Sequence, residues 1–180
     1  DYLSASKAEG SLIPLPAFVD ILKICAVTRR VKSFIRQRDK DHPELTKVSE
    51  GLIPMKDLEK SIKEKVTDHG ELKDDASPEL QSIRRKLNKR KSDLRGTINR
   101  AMSKASKDGM TSDEGATIRN GRMVIPIQAE FKRKVQGFVH DVSSSGQTVY
   151  IEPIEVLNMN NEIRQFEAEE QREIERILRE

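Results

Sequence analysis

Apolar residues recur every three to four positions over most of the chain, and the period shortens toward two only between about residues 117 and 151. Phe18, Ile21, Leu22, Cys25, Val31, Phe34 and Ile35 keep helical spacing. Pro14 and Pro16 precede them in an extended approach, and His42-Pro43 follows as the stop. A short helical turn through Leu45 and Val48 ends at Gly51. Pro54 then opens a helix with Met55, Leu58, Ile62 and Val66 on one face, closed by Asp68-His69-Gly70. The polar stretch 71–76 reads as a loop or a short hairpin.

Ser77-Pro78-Glu79 is a helix start: a capping hydroxyl, a proline whose missing N–H is harmless in the first turn, and an acid at the positive end of the dipole. From Pro78 the pattern predicts a helix to about Lys107. Leu80, Leu87, Leu94 and Ala101 fall seven apart, Ile83 and Ile98 lie beside that line, and Asp108-Gly109 ends it. Roughly 30 residues of helix span about 45 Å.

The period then changes. Thr117 to Ile127 reads as two strands around an Asn120-Gly121 turn, with Pro126 pointing to an edge position. Val135–Val142 and Thr148–Ile151 form a second pair around the turn Ser143–Gln147, which contains Gly146. After Glu152-Pro153, which set the strand-to-helix corner, the helical period returns. Val156, Met159, Ile163, Phe166, Ile174 and Ile177 make a near-heptad seam interrupted at Glu170. The expected fold is mainly α. A helical core segment covers 1–77, an ascending helix 78–110, a β head 111–153 and a returning helix 154–180. The two long helices pair antiparallel, like a coiled coil, and carry the head between them.

Charge supports that pairing. Residues 78–110 carry ten basic and three acidic side chains, and residues 153–180 carry four basic and eight acidic. The two helices therefore attract along their flanks. Residues 1–77 balance at 14 and 14. An apolar share of 35% against 35% charged, with few aromatic residues, suits an elongated helical architecture. Cys25 is the single cysteine, so no disulfide forms within the chain, which fits a reducing, cytoplasmic setting. No apolar run reaches the roughly 20 residues that span a bilayer, and no signal peptide is visible. The chain opens on Asp1 and stops at Glu180 inside a helical pattern, as a segment excised from a longer protein would.

The candidate chemistry is polyanion contact. Arg84, Arg85, Lys86, Lys89, Arg90, Lys91 and Arg95 form a basic strip that either meets phosphates or pairs with the acidic helix. In the head, Arg119, Arg122, Lys132, Arg133 and Lys134 cluster near hairpin ends. Asn120, Ser143, Ser144, Ser145 and Gln147 add the short polar donors that backbone contacts use. The same residues also suit ordinary turn chemistry. Phe131, Phe138 and Tyr150 read as packing residues, so base stacking is not expected. His140, Asp141 and Ser143 do not make a hydrolytic triad, because adjacent strand residues point to opposite faces. Asp141 is expected to accept N–H bonds from the Ser143–Ser145 turn. His42, His69, His140 and Cys25 lack metal-ligand spacing. Asn160 and Asn161 are poor helix formers, so one of them is expected to bond across to the ascending helix or the head.

The run from Asp68 to Arg85 resembles the approach to the lever helix of the second bacterial MutS paralogue, here called the MutS-two branch. Ile118–Ile127, Gly137–Pro153 with its His-Asp-Val-Ser-Ser-Ser-Gly-Gln core, Asn160-Asn161 and 167–170 resemble that family's clamp and returning helix. The run Gly10–Pro16 fits its core domain more loosely. The resemblance implies a dimeric ATPase whose core, levers and clamps embrace nucleic acid. It also implies suppression of homologous recombination on branched DNA, ribosome rescue in some bacteria, and a C-terminal Smr endonuclease domain beyond this segment. The segment itself is expected to be non-catalytic, with DNA or ribosomal RNA as partner and no membrane. ATP and Mg2+ belong to the parent protein, since no Gly-x-x-x-x-Gly-Lys-Ser/Thr occurs here. Gly121, His140, Asp141, Gly146, Glu152, Pro153, Asn160 and Asn161 are then structural. The different-class alternative is a coiled-coil interaction or dimerisation module without nucleic-acid contact.

Overall fold

A computed structural model describes residues 12–111 and 115–179. Gly10 and Ser11, which open the run that loosely fits the core domain, lie outside the described residues. Among those described, the chain forms helices α1 (Leu15–Arg36), α2 (Pro43–Ser49), α3 (Lys56–Lys65), α4 (Pro78–Lys107) and α5 (Ile154–Arg179). Between α4 and α5 lie strands β1 (Thr117–Arg119), β2 (Arg122–Gln128), β3 (Gly137–Val142) and β4 (Thr148–Pro153). The fold is mainly α with a small antiparallel sheet. It divides into two compact units, one of residues up to Gln81 with those from Arg172, the other Ser82–Gln171.

In the first unit, Ile62, Val66, Leu72, Leu80 and Ile177 form the core, with Leu15, Phe18, Ile21 and Leu22 of α1 packed against them. Helix α1 ends at Arg36, short of the expected stop at His42-Pro43. Arg38-Asp39-Lys40-Asp41 offers no apolar side chain to continue the buried face, and the chain turns instead. Val31 and Phe34, counted in the helical apolar spacing, are exposed. Val66 is not helical. It pairs in extended conformation with Leu72, so the polar stretch after it is the short hairpin rather than the loop. Gly70, at φ +78°, sits where a Cβ would lie 3.1 Å from the Pro16 backbone. Ser77 caps α4 as expected, its Oγ accepting the Leu80 N–H at 3.0 Å while donating to Glu173 at 2.6 Å. Arg176 and then Ser77 hold the buried Glu173 carboxyl down at about 2.

In the second unit, the helical period of α4 and α5 makes one core. Leu87, Leu94 and Ile98 meet Val156, Ile163 and Phe166, and Ile125, Ile127, Val149 and Ile151 of the sheet join them. Antiparallel α4 and α5 are flanked by ion pairs: Arg84–Glu170 at 2.7 Å, Lys91–Glu167 at 2.8 Å, and Arg90 with Glu162. Glu170, which interrupts the apolar seam, thus has its counter-charge on the facing helix. Burying fully the side chain of a residue such as Ile98 or Val156 stabilises by about 1.5–3 kcal/mol. Such half-exposed pairs add about 0–1 kcal/mol each, so the apolar seam holds the helices and the charges set register.

The strand order is β1-β2-β4-β3. Asn120 and Gly121 both have positive φ (52° and 72°), the conformation that a two-residue primed turn requires. Pro126 does not lie on an edge strand, since β2 stands between β1 and β4. Its ring is tolerated for a local reason. The Gln128 N–H, two residues on and so on the same side, bonds Met110 away from β4. The Pro126 nitrogen therefore faces away from the ladder, and no rung is lost.

Candidate nucleic-acid interface

Glu152 sits at the end of β4, 1% exposed. A buried carboxylate is costly unless it is paired and hydrogen-bonded. Here Arg122 Nη1 and Asn160 Nδ2 each donate to its Oε1 at 2.7 Å, and His140 Nε2 lies 2.6 Å from Oε2. Arg122 also donates to Asn161 at 2.6 Å. A bulge between Val139 and Asp141 aims His140 at this carboxylate.

The network folds the β1–β2 hairpin across the sheet. Arg119 lies 4.2 Å above the Tyr150 ring and 3.3 Å from the Asp141 carboxylate. Asn120 Nδ2 donates to the His140 carbonyl at 3.0 Å. The sequence places Arg119, Asn120 and Arg122 among the polyanion contacts. The structure commits all three to protein partners, with the Arg122 side chain only 16% exposed. Asp141 accepts the N–H of Val142 rather than those of the Ser143–Ser145 turn. Within that turn, Ser143 Oγ accepts the Thr148 N–H and Ser145 Oγ accepts that of Gln147. His140, Asp141 and Ser143 thus have separate partners.

Asn160 completes the sheet from outside it. The β2–β4 register, Ile125 with Ile151 and Gln128 with Thr148, would set Met123 opposite Pro153. Pro153 has no N–H to give. The Asn160 carboxamide takes that rung instead: Oδ1 accepts the Met123 N–H at 3.1 Å and Nδ2 donates to the Met123 carbonyl at 3.2 Å. The sequence marks the Asn pair as unusual for a helix, and both members bond to the β region. It does not single out Gly137, where a Cβ would come 2.2 Å from the Glu152 carbonyl oxygen. A glycine opening an apolar strand is the signal that marks such a close approach.

The remaining candidates fall in two places. Lys132, Arg133 and Lys134 are exposed on the segment that carries the chain from β2 to β3. Lys134 lies 4.9 Å from the Phe131 ring centre, and none of the three makes an ion pair among the described residues. Ser144, Ser145, Gly146 and Gln147 are exposed beside the C-terminal end of β2, where the Ala129 N–H bonds the Gln147 carbonyl and the Lys132 N–H bonds the Ala129 carbonyl. On α4, Arg84 is paired with Glu170, while Arg85 and Lys89 are exposed and unpaired among the described residues. The described residues hold no group of three or more His, Cys, Asp or Glu that could ligate a metal, and no helix long and apolar enough to cross a membrane.

No protein-family model matches the chain. Over 173 residues, 94% of its length, it is 39% identical to a protein of Bacillus velezensis named endonuclease MutS2. It is 38% identical over 180 residues to the endonuclease MutS2 of Clostridium botulinum. A Bacillus subtilis protein named putative endonuclease MutS2 is 38% identical over 173 residues. Each match takes up 22% of the relative, so the chain spans about a fifth of the length of these curated proteins.

Proposed function

We propose, for a chain that belongs to the MutS2 family over this segment, that its second unit is a nucleic-acid clamp carried on a lever of two antiparallel helices. The observation that carries the reading is the contrast within one small sheet. Arg119 and Arg122 are locked inward, while Lys132, Arg133 and Lys134 stand exposed without a counter-charge among the described residues. Unpaired cations beside a serine turn suit phosphate contact, which positions a duplex without reading its sequence. Among the described residues of this unit Phe138, read from the sequence as a packing residue, is the one exposed aromatic side chain, a single ring rather than a stacking platform, so branched or duplex DNA would be gripped by shape and charge.

In the full-length protein the core, ascending helix and returning helix would transmit motion from an ATPase, which would hold ATP and Mg2+ elsewhere in a homodimer. The relatives are named endonucleases, and a nuclease activity would likewise reside outside this segment. Suppression of recombination would follow from gripping branched DNA. Ribosome engagement through ribosomal RNA would use the same phosphate chemistry. The test is binding of the chain to four-way-junction DNA across a salt series. Affinity should fall with salt and drop further in Lys132→Glu/Arg133→Glu/Lys134→Glu. Binding that ignores both salt and this triple change would sink the reading.

One observation favours a protein-interaction module instead. Strand β3 is a sheet edge carrying exposed Phe138, Val139 and Val142. An edge of this kind can pair with another strand. Salt-independent self-association without any DNA signal would select that alternative.

A further inference from the structure

Helix α1 carries a second and separate basic surface. From Ile21 to its end at Arg36 it has no acidic residue, and Arg29, Arg30, Ser33, Arg36 and the C-cap Gln37 fall on one face. That face lines a cleft of about 640 Å3 closed on its other side by Pro54 and Lys56, and no carboxylate lines it. Two of its cations are anchored: Arg29 lies 3.3 Å from Glu59, and Lys32 donates to the Leu52 carbonyl at 2.7 Å. Arg30, Arg36 and Lys56 are exposed and unpaired among the described residues.

Elsewhere in this unit charge is balanced locally. Asp20 meets Lys23 at 2.9 Å, Glu44 meets Lys47 at 3.0 Å and Glu64 meets Lys60 at 3.9 Å. The cleft is where that balance is withheld. The helix dipole accounts for a cation such as Arg36 at the C-terminal turn. It does not account for Arg30, six residues earlier, or for Lys56 on another element. Arginine forks with serine and glutamine donors beside them match the oxygens of a phosphodiester.

We propose that the Arg30–Arg36–Lys56 cleft binds the phosphate backbone of a nucleic acid, as a contact additional to the clamp loop. It requires no contribution from Lys132–Lys134 and so stands apart from the clamp. Fluorescence anisotropy of the chain with a labelled 20-base-pair duplex, over a salt series, tests it. Arg30→Gln/Arg36→Gln/Lys56→Gln should weaken binding and flatten the log–log salt slope by about 2 to 3, close to one unit for each phosphate no longer neutralised. Lys23→Gln/Lys47→Gln/Lys60→Gln removes the same charge from locally paired positions and should leave the slope nearly unchanged. Equal losses in the two triples would reduce the cleft to general attraction and overturn the proposal, as would no loss in the first. Labelled poly-glutamate that depends on the cleft triple, while DNA does not, would overturn it in favour of an acidic polypeptide. The loop triple in parallel separates the sites: if it alone alters the slope, the clamp stands and the cleft falls. An absence of DNA binding by the unsubstituted chain sinks both. All three cleft side chains are exposed, so helix content by circular dichroism should be unchanged.

Discussion

Arg122 and Arg133 stand eleven residues apart and share a charge, yet the fold treats them in opposite ways. Arg122 lies against a buried carboxylate, with His140 and two asparagines around it. Arg133 sits on an exposed crossing segment with no ion-pair partner among the described residues. The difference comes from what lies opposite each. Arg122 is on a strand beside β4, within reach of Glu152, whereas no acid pairs with Lys132, Arg133 or Lys134 among the described residues. Cations near a hairpin therefore divide into those that hold the hairpin down and those left to meet something else.

Glu152 is the residue on which this division most depends. Glu152→Ala should strand Arg122 and His140 in a largely dry pocket and destabilise the chain by about 3–5 kcal/mol, read from denaturant unfolding. A loss under about 1 kcal/mol would mean that the network does not hold the hairpin. Gly137→Ala forces a methyl group into the Glu152 carbonyl, so the backbone must shift. The expected cost is about 1–3 kcal/mol, with slower-exchanging amides of β3 and β4 becoming exposed to hydrogen exchange. Asn160→Leu keeps the bulk but leaves the Met123 N–H and carbonyl without partners, at about 1–3 kcal/mol. Its thermal unfolding should show the loss before any change in nucleic-acid binding appears.

The other side of the contrast should barely affect stability. Lys132→Glu/Arg133→Glu/Lys134→Glu ought to alter unfolding free energy by no more than about 0.5 kcal/mol per substitution while still changing the salt dependence of DNA binding. A separate effect, visible only in acid, concerns Glu173 in the first unit. Its carboxyl is held down at about 2 from an ordinary 4.5. The unfolded chain therefore takes up this proton first as pH falls. The stabilisation is fully present above about 4.5 and is lost progressively toward 2. Glu173→Gln should flatten that acid limb in a pH series of unfolding curves.

Much of the secondary structure was legible because it rests on local chemistry. Ser77-Pro78 starts a helix, seven-residue leucine spacing continues it, and Asn120-Gly121 accepts the positive φ of a tight turn. The mutual attraction of a basic and an acidic helix was legible too, since both charge patterns are contiguous. What stayed hidden depends on distant pairs. Nothing near Arg122 in sequence announces Glu152, thirty residues on, and the bulge that aims His140 between them has no glycine to mark it. Pro126 misled for a related reason. Proline reports that its own nitrogen faces no rung, which an inner strand also permits beyond the end of a short neighbour. The α1 cleft was masked by arithmetic, because the first 77 residues balance in total charge while leaving one face of one helix unopposed.

Asn160 acts seven residues after Pro153, about two turns along α5. Its amide fits the Met123 rung only when the helix presents that one azimuth. Inserting or deleting a single residue between the two positions would swing the side chain through about 100°. A change between Val156 and Asn160 would also carry Val156 and Ile163 out of step with each other across the seam. The strand-to-helix junction thus works as a phase key, and spacing there should resist length change even where composition drifts.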